Sequence, residues 1–170
     1  TQMKSVGEAM SIGRTFKQSF QKALRSMETG RFGFGADGRD RAHAGMENPE
    51  LEEAIRRPGA DRIFQVREAI TRDWSLDRLH ELSGIDPWFL DSMAELVAFE
   101  EEIRKAESLD ELKGDVALFR QAKEFGFSDR QIARVLDCSE DAVREAREEL
   151  GLQPVYALVD TCAAEFEAYT

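Results

Sequence analysis

The stretch that decides the fold is IDPWFLDSMAELVAFEEEIRKA, residues 85–106. Asp86 followed by Pro87 is a helix-starting pattern, because aspartate accepts hydrogen bonds from first-turn N–H groups and proline needs none there. Behind this start, apolar residues recur at helical spacing and fall on one side: Phe89, Leu90, Met93, Leu96, Val97 and Ile103. The pattern predicts the longest helix of the chain, ending near Ala106, and we expect it to supply much of the core together with Ile132–Leu150.

Shorter helical patterns lie on both sides of this helix, each bounded by residues that start or stop helices. Asn48-Pro49 starts one that Pro58-Gly59 stops, and Ser75 starts another that Gly84 ends. Four more patterns of this kind are Asp61–Thr71, Asp115–Phe125, Ser128–Leu136 and Ser139–Leu150. Helices this short depend on tertiary packing for their stability. The sequence therefore predicts an all-α fold, an irregular bundle of short helices.

Two further elements flank the bundle. Thr15 followed by Gln18 matches a capping box and starts a predicted helix from Thr15 to Glu28, which Gly30 closes. At the other end, residues 154–156 and 159–166 are predicted to be extended. We expect this C-terminal segment to form a strand of a sheet that the chain itself does not contain.

Residues 30–45 lack any periodic pattern and contain five of the 12 glycines. This composition predicts a mobile, poorly ordered linker. Within it, Gly33-Phe34-Gly35-Ala36-Asp37-Gly38 matches the letters of a dinucleotide-binding GxGxxG motif. That motif needs a strand before it and a helix that opens at it. Because a helix precedes this match and a polar stretch follows it, we assign it no nucleotide.

The composition and net charge of the chain disfavour several classes of protein. The chain has 170 residues, with 23 Lys and Arg against 34 Asp and Glu, and a net charge of −11. So acidic a chain repels phosphate backbones and anionic lipid surfaces, which disfavours nucleic acid and membrane as partners. A hydrophobic content of 42% argues against disorder. Thr1 stands where an initiator Met would, and no signal peptide follows, so we expect a segment of a longer protein.

No catalytic or metal-binding constellation is evident. Cys138 and Cys162 lack the spacing of a zinc site or a disulfide framework, which is typical of reduced thiols in a cytosolic protein. His43 and His80 have no evident catalytic partner. The run Glu100-Glu101-Glu102 points around a helix in different directions and is interpreted as a solvated face. We therefore assign no catalytic, cofactor-binding or metal-binding residue.

One segment supports a rival function. Residues 127–150 resemble a helix-turn-helix, with a short helix, a tight turn and a second helix that begins at Ser139. A DNA-binding motif of this type places the start of its second helix in the major groove, where Glu140 and Asp141 would face phosphates. A small acidic helical regulator that uses this motif is the alternative function. A packed helical hairpin explains the same residues.

The two ends of the chain carry more specific motifs than its middle. MKSVGEAMSIGRTF at residues 3–16 and QKALR at residues 21–25 resemble the end of the first synthetic half of the carbamoyl-phosphate synthetase large subunit. PVY at residues 154–156 and VDTCAAEF at residues 159–166 resemble the beginning of its second half. ADRI at residues 60–63 and IDPWFL at residues 85–90 are similar to the family's intervening helical domain. The glycine-rich residues 30–38 and RRPG at residues 56–59 depart from the family's pattern.

This resemblance implies a domain organisation and a function. Residues 1–29 would end the first (carboxyphosphate) half, residues 30–47 would form the Gly-rich linker, residues 48–152 a helical oligomerisation domain, and residues 153–170 the beginning of the second (carbamoyl-phosphate) half. The family's ATP-dependent ligases make carbamoyl phosphate from bicarbonate, glutamine-derived ammonia and two ATP, with Mg²⁺ or Mn²⁺, for arginine and pyrimidine biosynthesis. None of their ATP-grasp catalytic residues matches a position here. The resemblance therefore implies a non-catalytic connector and oligomerisation domain without a cofactor of its own.

The implied partners are a glutamine amidotransferase small subunit, which supplies the ammonia, and other copies of the large subunit, all in the cytoplasm. The residues add one reason to expect self-association. The helical region contains more large aromatic side chains than a small core needs to hold, and exposed aromatics anchor interfaces: Trp74, Trp88, Phe89, Phe99, Phe119, Phe125 and Phe127.

Overall fold

The computed structural model describes residues 7–39 and 42–159. Within these residues it contains nine α-helices and no β-strand, which confirms the predicted all-α fold. In chain order the helices are α1 (Phe16–Ser26), α2 (Asn48–Arg56), α3 (Arg62–Thr71), α4 (Leu76–Ser83), α5 (Pro87–Arg104), α6 (Leu109–Gly114), α7 (Val116–Glu124), α8 (Asp129–Val135) and α9 (Glu140–Glu149).

Helix α5 is the element on which most of the others pack. Asp86 caps it and Pro87 is its first residue, as the sequence predicts. Helices α1, α3, α4, α7 and α8 all contact it. Its buried side is mainly apolar but includes two polar residues: Leu90, Ser92, Met93, Leu96, Phe99, Glu100 and Ile103. The core therefore lies around α5.

Side-chain caps start the helices where the sequence places them. Ser128 and Gln131 form a complete capping box at α8, each side chain accepting from the other residue's N–H. The capping box predicted at α1 is only half formed. The Thr15 hydroxyl accepts from Gln18 N at 3.2 Å, but the Gln18 side-chain oxygen accepts from Arg14 N at 2.9 Å instead of from Thr15 N.

Sequence reasoning missed the short helix α6. Ser108 caps it, and the Ser108 hydroxyl accepts from Glu111 N at 3.2 Å. Serine followed three residues later by glutamate is a helix-starting signal that was present in the sequence. The helix has only six residues and one buried side chain, Leu112, so no apolar periodicity accompanies the signal.

The glycine-rich segment is packed inside the protein. Residues 31–37, which we call the buried strap, cross the interior next to α1 and α8, and Phe34 in their middle is 2% exposed. Phe34 N donates to the Gln21 side-chain oxygen at 2.8 Å, and the Gln131 side-chain nitrogen donates to Gly35 O at 2.8 Å. The expectation of a poorly ordered linker is therefore wrong for residues 31–37, because they are packed in the core and side-chain amides pair the backbone groups of Phe34 and Gly35.

Two glycines of the strap are required by close approach. A Cβ at Gly33 would collide with the side-chain amides of Gln21 and Gln131. A Cβ at Gly35 would collide with the guanidinium of Arg67. The glycines that suggested a flexible loop therefore serve tight packing against polar side chains.

Ion pairs accompany the strap in the interior. Arg31 Nε lies 3.1 Å from Asp37 Oδ2, and the Arg31 guanidinium stacks on Phe64. On α5, Glu100 is only 5% exposed and lies 2.8 Å from Arg67 Nη2 and 3.0 Å from Arg104 Nη2. The interpretation of residues 100–102 as a solvated face is therefore wrong for Glu100. A buried carboxylate is stable there because two guanidinium groups neutralise it.

After α9 the chain is not helical from Leu152 onward, and Leu152 itself is buried. Residues 152–159 form neither helix nor strand, and Val155 and Tyr156 are 81% and 93% exposed. The predicted extended residues 160–166 lie outside the described residues. In the part of the chain that the structure describes, no helix has both the length and the apolar character needed to cross a membrane.

We predict that Gln131→Ala lowers the free energy of unfolding by about 2–4 kcal/mol, because it leaves the Gly35 carbonyl unpaired and opens a cavity. Chemical denaturation followed by circular dichroism measures this change. Gln121→Ala, at an exposed position of α7, is the matched control and is expected to change stability by less than about 0.5 kcal/mol. Equal stability of the two variants would contradict the role assigned to Gln131.

Candidate functional site

The seven aromatic residues proposed for self-association differ in how far they are exposed to solvent. Four of them are buried and belong to the core: Trp74, Phe99, Phe119 and Phe127. Phe125 is half-buried against this core. Only Trp88 and Phe89 stay exposed, at 59% and 40%. Of these seven aromatic residues, the pair at the start of α5 is therefore the part that a partner could contact.

Trp88 and Phe89 form a cluster with Phe16 of α1, which we call the aromatic patch. The ring centroids lie 5.4 Å apart for Phe16 and Trp88, 5.0 Å for Phe16 and Phe89, and 5.0 Å for Trp88 and Phe89. The patch follows from the helix start, since the Asp86 carboxylate accepts from Trp88 N at 2.9 Å and fixes the first turn. Tilted rings at these distances attract one another.

The aromatic patch connects to the interior through further rings. Phe16 stacks on Phe20 at 5.2 Å, and Phe20 meets Phe34 of the buried strap at 5.0 Å. An ion pair between Lys17 and Glu95 joins α1 to α5 beside the patch. The exposed rings therefore lie on a firmly packed base formed by two helices.

A second polar cluster lies where α7, α8 and α9 meet, and we call it the ionic junction. Asp129 lies 2.7 Å from Lys123 Nζ and 3.3 Å from Arg147 Nε. The Lys123 ammonium also donates to Phe127 O at 2.7 Å, and the Arg147 guanidinium donates to Leu152 O at 2.8 Å. The junction therefore holds Leu152 against α9. We call residues 152–159, which follow α9, the outgoing segment.

Helix α1 is attached to the same region through the turn between α7 and α8. Arg25 Nη1 donates to Gly126 O at 2.8 Å. Gly126 has a φ of +90°, and a Cβ there would lie 3.0 Å from Gln18 Cα and from Gln21 Cβ. Glycine is therefore needed both for the turn and for the approach of α1. Helix α1 is thus fixed to this turn, whereas Leu152 is fixed to Arg147 of α9, which pairs with Asp129 just after the turn.

Burial and charge shift the titration of the junction. Burial is the main cause that lowers the pKa of Lys123, and it outweighs the attraction of Asp129. For Asp129, burial acts to raise the pKa, but the contacts with Lys123 and Arg147 prevail and hold the pKa below its usual value. Burial also lowers the pKa of Arg25. Two cations, Lys123 and Arg147, are thus paired with the single carboxylate of Asp129.

The remaining chemical candidates each have their own surroundings. His80 is exposed, and its Nδ1 lies 2.7 Å from Ile85 O. The backbone carbonyl of His43 accepts a hydrogen bond from Arg72 Nη2 at 3.2 Å. Burial, with a contribution from Asp137, raises the pKa of the Cys138 thiol, which disfavours a reactive thiolate. Cys162 lies outside the described residues. Among the residues 7–39 and 42–159, no group of three His, Cys, Asp or Glu side chains is placed to hold a metal ion.

The rival helix-turn-helix is a packed hairpin. Helices α8 and α9 contact each other closely, and Ile132 and Val143 are both fully buried between the helices and the core. At the start of α9, Arg144 lies 3.2 Å from Asp141 and 3.9 Å from Glu140, so its charge is balanced within its own helix. The surface at this helix start carries more acid than base, which opposes a phosphate backbone.

Comparison with known proteins gives a consistent set of relatives. A family model described as carbamoyl-phosphate synthetase large chain, oligomerisation domain, matches residues 8–151. The chain is 50% identical over 174 residues to the carbamoyl phosphate synthase large chain of Rhodopirellula baltica and 47% identical over 171 residues to that of Archaeoglobus fulgidus. It is 44% identical over 170 residues to the N-terminal section of the large chain of Aquifex aeolicus.

These alignments cover 100% of the chain but only part of each relative. The share is 16% of the Rhodopirellula baltica and Archaeoglobus fulgidus proteins and 29% of the Aquifex aeolicus protein. The chain therefore spans about a sixth of the length of the full-length relatives.

We predict that Asp129→Asn lowers the free energy of unfolding at pH 7 by about 1–3 kcal/mol, because it leaves Lys123 and Arg147 with uncompensated charge. The folded state lowers the pKa of Asp129, so the stabilisation is complete above the unfolded pKa, about 3.9, and is lost as the pH falls through the folded pKa. The gap between wild type and variant should close in acid.

Chemical denaturation from pH 7 down to pH 2 measures this dependence, because the change begins only below about pH 3.9. Asp141→Asn is the control, because Asp141 also pairs with an arginine but its side chain is 80% exposed, where ion pairs contribute little. A gap between wild type and Asp129→Asn that does not change with pH would contradict the assignment.

Proposed function

The chain belongs to the carbamoyl-phosphate synthetase large chain family as its oligomerisation domain, and from this premise we propose that it acts as a non-catalytic connector and assembly domain of a larger ligase. The observation that carries the proposal is the family match over residues 8–151. The rival regulator has no support among the relatives, which are large chains of the synthase or a section of one.

The activity that we propose for the whole protein is the synthesis of carbamoyl phosphate. In this proposal two ATP molecules, with Mg²⁺ or Mn²⁺, drive the reaction of bicarbonate with ammonia for arginine and pyrimidine biosynthesis in the cytoplasm. A glutamine amidotransferase small subunit supplies the ammonia. The names of the relatives support this activity. Because the chain spans only about a sixth of their length, we propose that the chemistry takes place in other parts of the protein.

The connector role is supported by the way the two chain ends are attached. We propose that residues 1–29 end the first synthetic half, that residues 30–47 and 48–152 form the linker and the helical domain, and that residues 153–170 begin the second half. Arg25 binds the turn at Gly126, and the ionic junction next to that turn holds Leu152. A connector built in this way fixes the positions of both attached halves relative to one turn.

The non-catalytic role is supported by the pairing of the buried carboxylates. Phosphoryl transfer needs a phosphate cradle and carboxylates that can hold Mg²⁺. Asp37, Glu100 and Asp129 are largely buried, and each lies within 3.1 Å of an arginine or lysine nitrogen. Their charges are neutralised inside the protein, so they serve its stability.

Self-association of large chains is the assembly role that we propose. The family's description supports it. With a net charge of −11, two copies repel each other, and salt screens this repulsion over a distance of about 8 Å at physiological ionic strength. Contact between copies should therefore strengthen as salt is added. A pair related by two-fold symmetry is the default arrangement.

We predict that the purified 170-residue chain self-associates and that the associated fraction is larger at high salt than at low salt. Sedimentation velocity over a range of protein concentrations in both buffers measures the fraction. A single monomeric species in both buffers at high protein concentration would contradict assembly by this region alone.

We also predict that the purified chain neither hydrolyses ATP nor forms carbamoyl phosphate, because its buried carboxylates Asp37, Glu100 and Asp129 are paired with cations of the fold. Release of phosphate that depends on bicarbonate is the measurement, and an intact large chain with its small subunit is the positive control. Turnover at a rate comparable to the control would overturn the proposed non-catalytic role.

A further inference from the structure

We propose that Arg147 is a positioning residue of the intact large chain: it sets the direction in which the second synthetic half leaves the helical domain, so that carbamate made by the first half is phosphorylated by the second. This inference rests on the proposed function, in which residues 1–29 end the first half and residues 153–170 begin the second. Arg147 is assigned no contact with substrate, and it acts through the backbone of Leu152.

Arg147 holds Leu152 at both of its backbone groups. Arg147 O accepts from Leu152 N at 2.9 Å, and Arg147 Nη1 donates to Leu152 O at 2.8 Å. The first bond belongs to a Schellman turn at the end of α9, in which Gly151 has a φ of +66° and its N–H donates to Glu148 O at 3.0 Å. The second bond comes from the side chain and fixes the orientation of the peptide group between Leu152 and Gln153.

The same side chain ties this turn to the rest of the domain. Arg147 Nε lies 3.3 Å from Asp129 Oδ2, and Asp129 Oδ1 lies 2.7 Å from Lys123 Nζ. The side chains of Arg147 and Asp129 are 12% and 15% exposed, so water screens their attraction little. A guanidinium group carries its N–H donors in a fixed plane, which lets Arg147 hold Asp129 and Leu152 at once. A lysine ammonium concentrates its donors at one point and does not reproduce this geometry.

Little slack separates Leu152 from the proposed second half. In the part of the chain that the structure describes, Leu152 is the last buried residue, and every residue from 153 to 159 is exposed. Gln153 precedes a proline, which confines its backbone to extended conformations, and the ring of Pro154 fixes its own φ at about −65°. The direction set at Leu152 is therefore carried into the following residues.

The contacts continue from the ionic junction to α1, which belongs to the proposed end of the first half. Phe127 O accepts from Lys123 Nζ at 2.7 Å, and the preceding carbonyl, Gly126 O, accepts from Arg25 Nη1 at 2.8 Å. The two proposed halves are thus joined through one continuous path of polar contacts. A change at Arg147 alters the placement of one half relative to the other, although no residue of either half is changed.

The proposed reaction makes this placement measurable. One ATP phosphorylates bicarbonate, ammonia displaces the phosphate to give carbamate, and a second ATP phosphorylates carbamate. Carbamate that escapes into water reacts with it to give bicarbonate and ammonia, so its ATP is consumed without product. The ratio of ADP to carbamoyl phosphate therefore rises when the halves are poorly aligned, because small displacements slow a reaction step strongly.

Arg147→Lys in the intact large chain, with ammonium as the nitrogen source, tests the proposal. We expect the ratio of ADP to carbamoyl phosphate to rise several-fold above that of the wild type, because lysine keeps a charge beside Asp129 but loses the hold on Leu152 O. Unfolding of some molecules would lower all rates equally and leave this ratio unchanged. The ratio therefore separates positioning from a purely structural role.

Each half is also assayed by itself in the same variant. Bicarbonate-dependent ADP formation without ammonium reports on the first half, and ATP formation from carbamoyl phosphate and ADP reports on the second. We expect both rates to stay at the wild-type level, because the substitution changes neither half.

Two further variants complete the test. Arg144→Lys is the matched control, since Arg144 lies on the same helix but pairs with Asp141 of that helix, at 3.2 Å, and it should leave the ratio unchanged. Arg147→Met removes both contacts while keeping an unbranched side chain, and it should raise the ratio at least as much as Arg147→Lys. Circular dichroism shows that each variant is folded.

Three results would count against the proposal. A ratio in both Arg147 variants equal to that of Arg144→Lys would overturn it. Partial reactions that fall together with the overall rate, at an unchanged ratio, would show that Arg147 only stabilises the fold. A wild-type large chain that makes no carbamoyl phosphate from ammonium would instead refute the proposed activity, and this inference with it.

Discussion

The hydrogen-bonded pair of buried glutamines, Gln21 and Gln131, is the constraint on which the rest of the structure depends. Their side chains meet at 3.2 Å although they are 110 residues apart in the chain. Together they satisfy the N–H of Phe34 and the carbonyl of Gly35. Backbone groups can enter an apolar core only when they are paired in this way. The pair therefore makes α1, the buried strap and α8 one unit, and Phe34 completes the packing of that unit.

Internal ion pairs give an acidic chain a well-defined interior. Glu100 lies between Arg67 and Arg104, and Asp129 lies between Lys123 and Arg147. Each of these carboxylates would be costly to bury alone, and each is neutralised by two cations. These ion pairs use the same carboxylates that would otherwise be candidates for metal binding. Stability and the non-catalytic role that we propose therefore have one physical cause.

The contacts near the two ends of the described chain restrict movement within the proposed connector. The incoming helix α1 contacts the turn at Gly126, and the ionic junction fixes Leu152 of the outgoing segment beside that turn. The aromatic patch lies at the other end of α1, where Phe16 meets Trp88. Helix α1 is therefore held near both of its ends, by the turn at Gly126 and by the rings of α5.

The sequence by itself determined eight of the nine helices in residues 7–39 and 42–159, all but α6, because caps, glycine stops and apolar spacing are local signals. Asp86 and Ser128 mark their helix starts as predicted, and the motifs at the chain ends indicated the family. Only the tertiary structure decided which residues are buried. The glycine-rich strap was predicted to be a loose linker, and Glu100 to be solvated, because both are polar or patternless in sequence. Their burial depends on partners such as Gln131 and Arg67, which lie 96 and 33 residues away, and one-dimensional periodicity carries no information about contacts between residues so far apart.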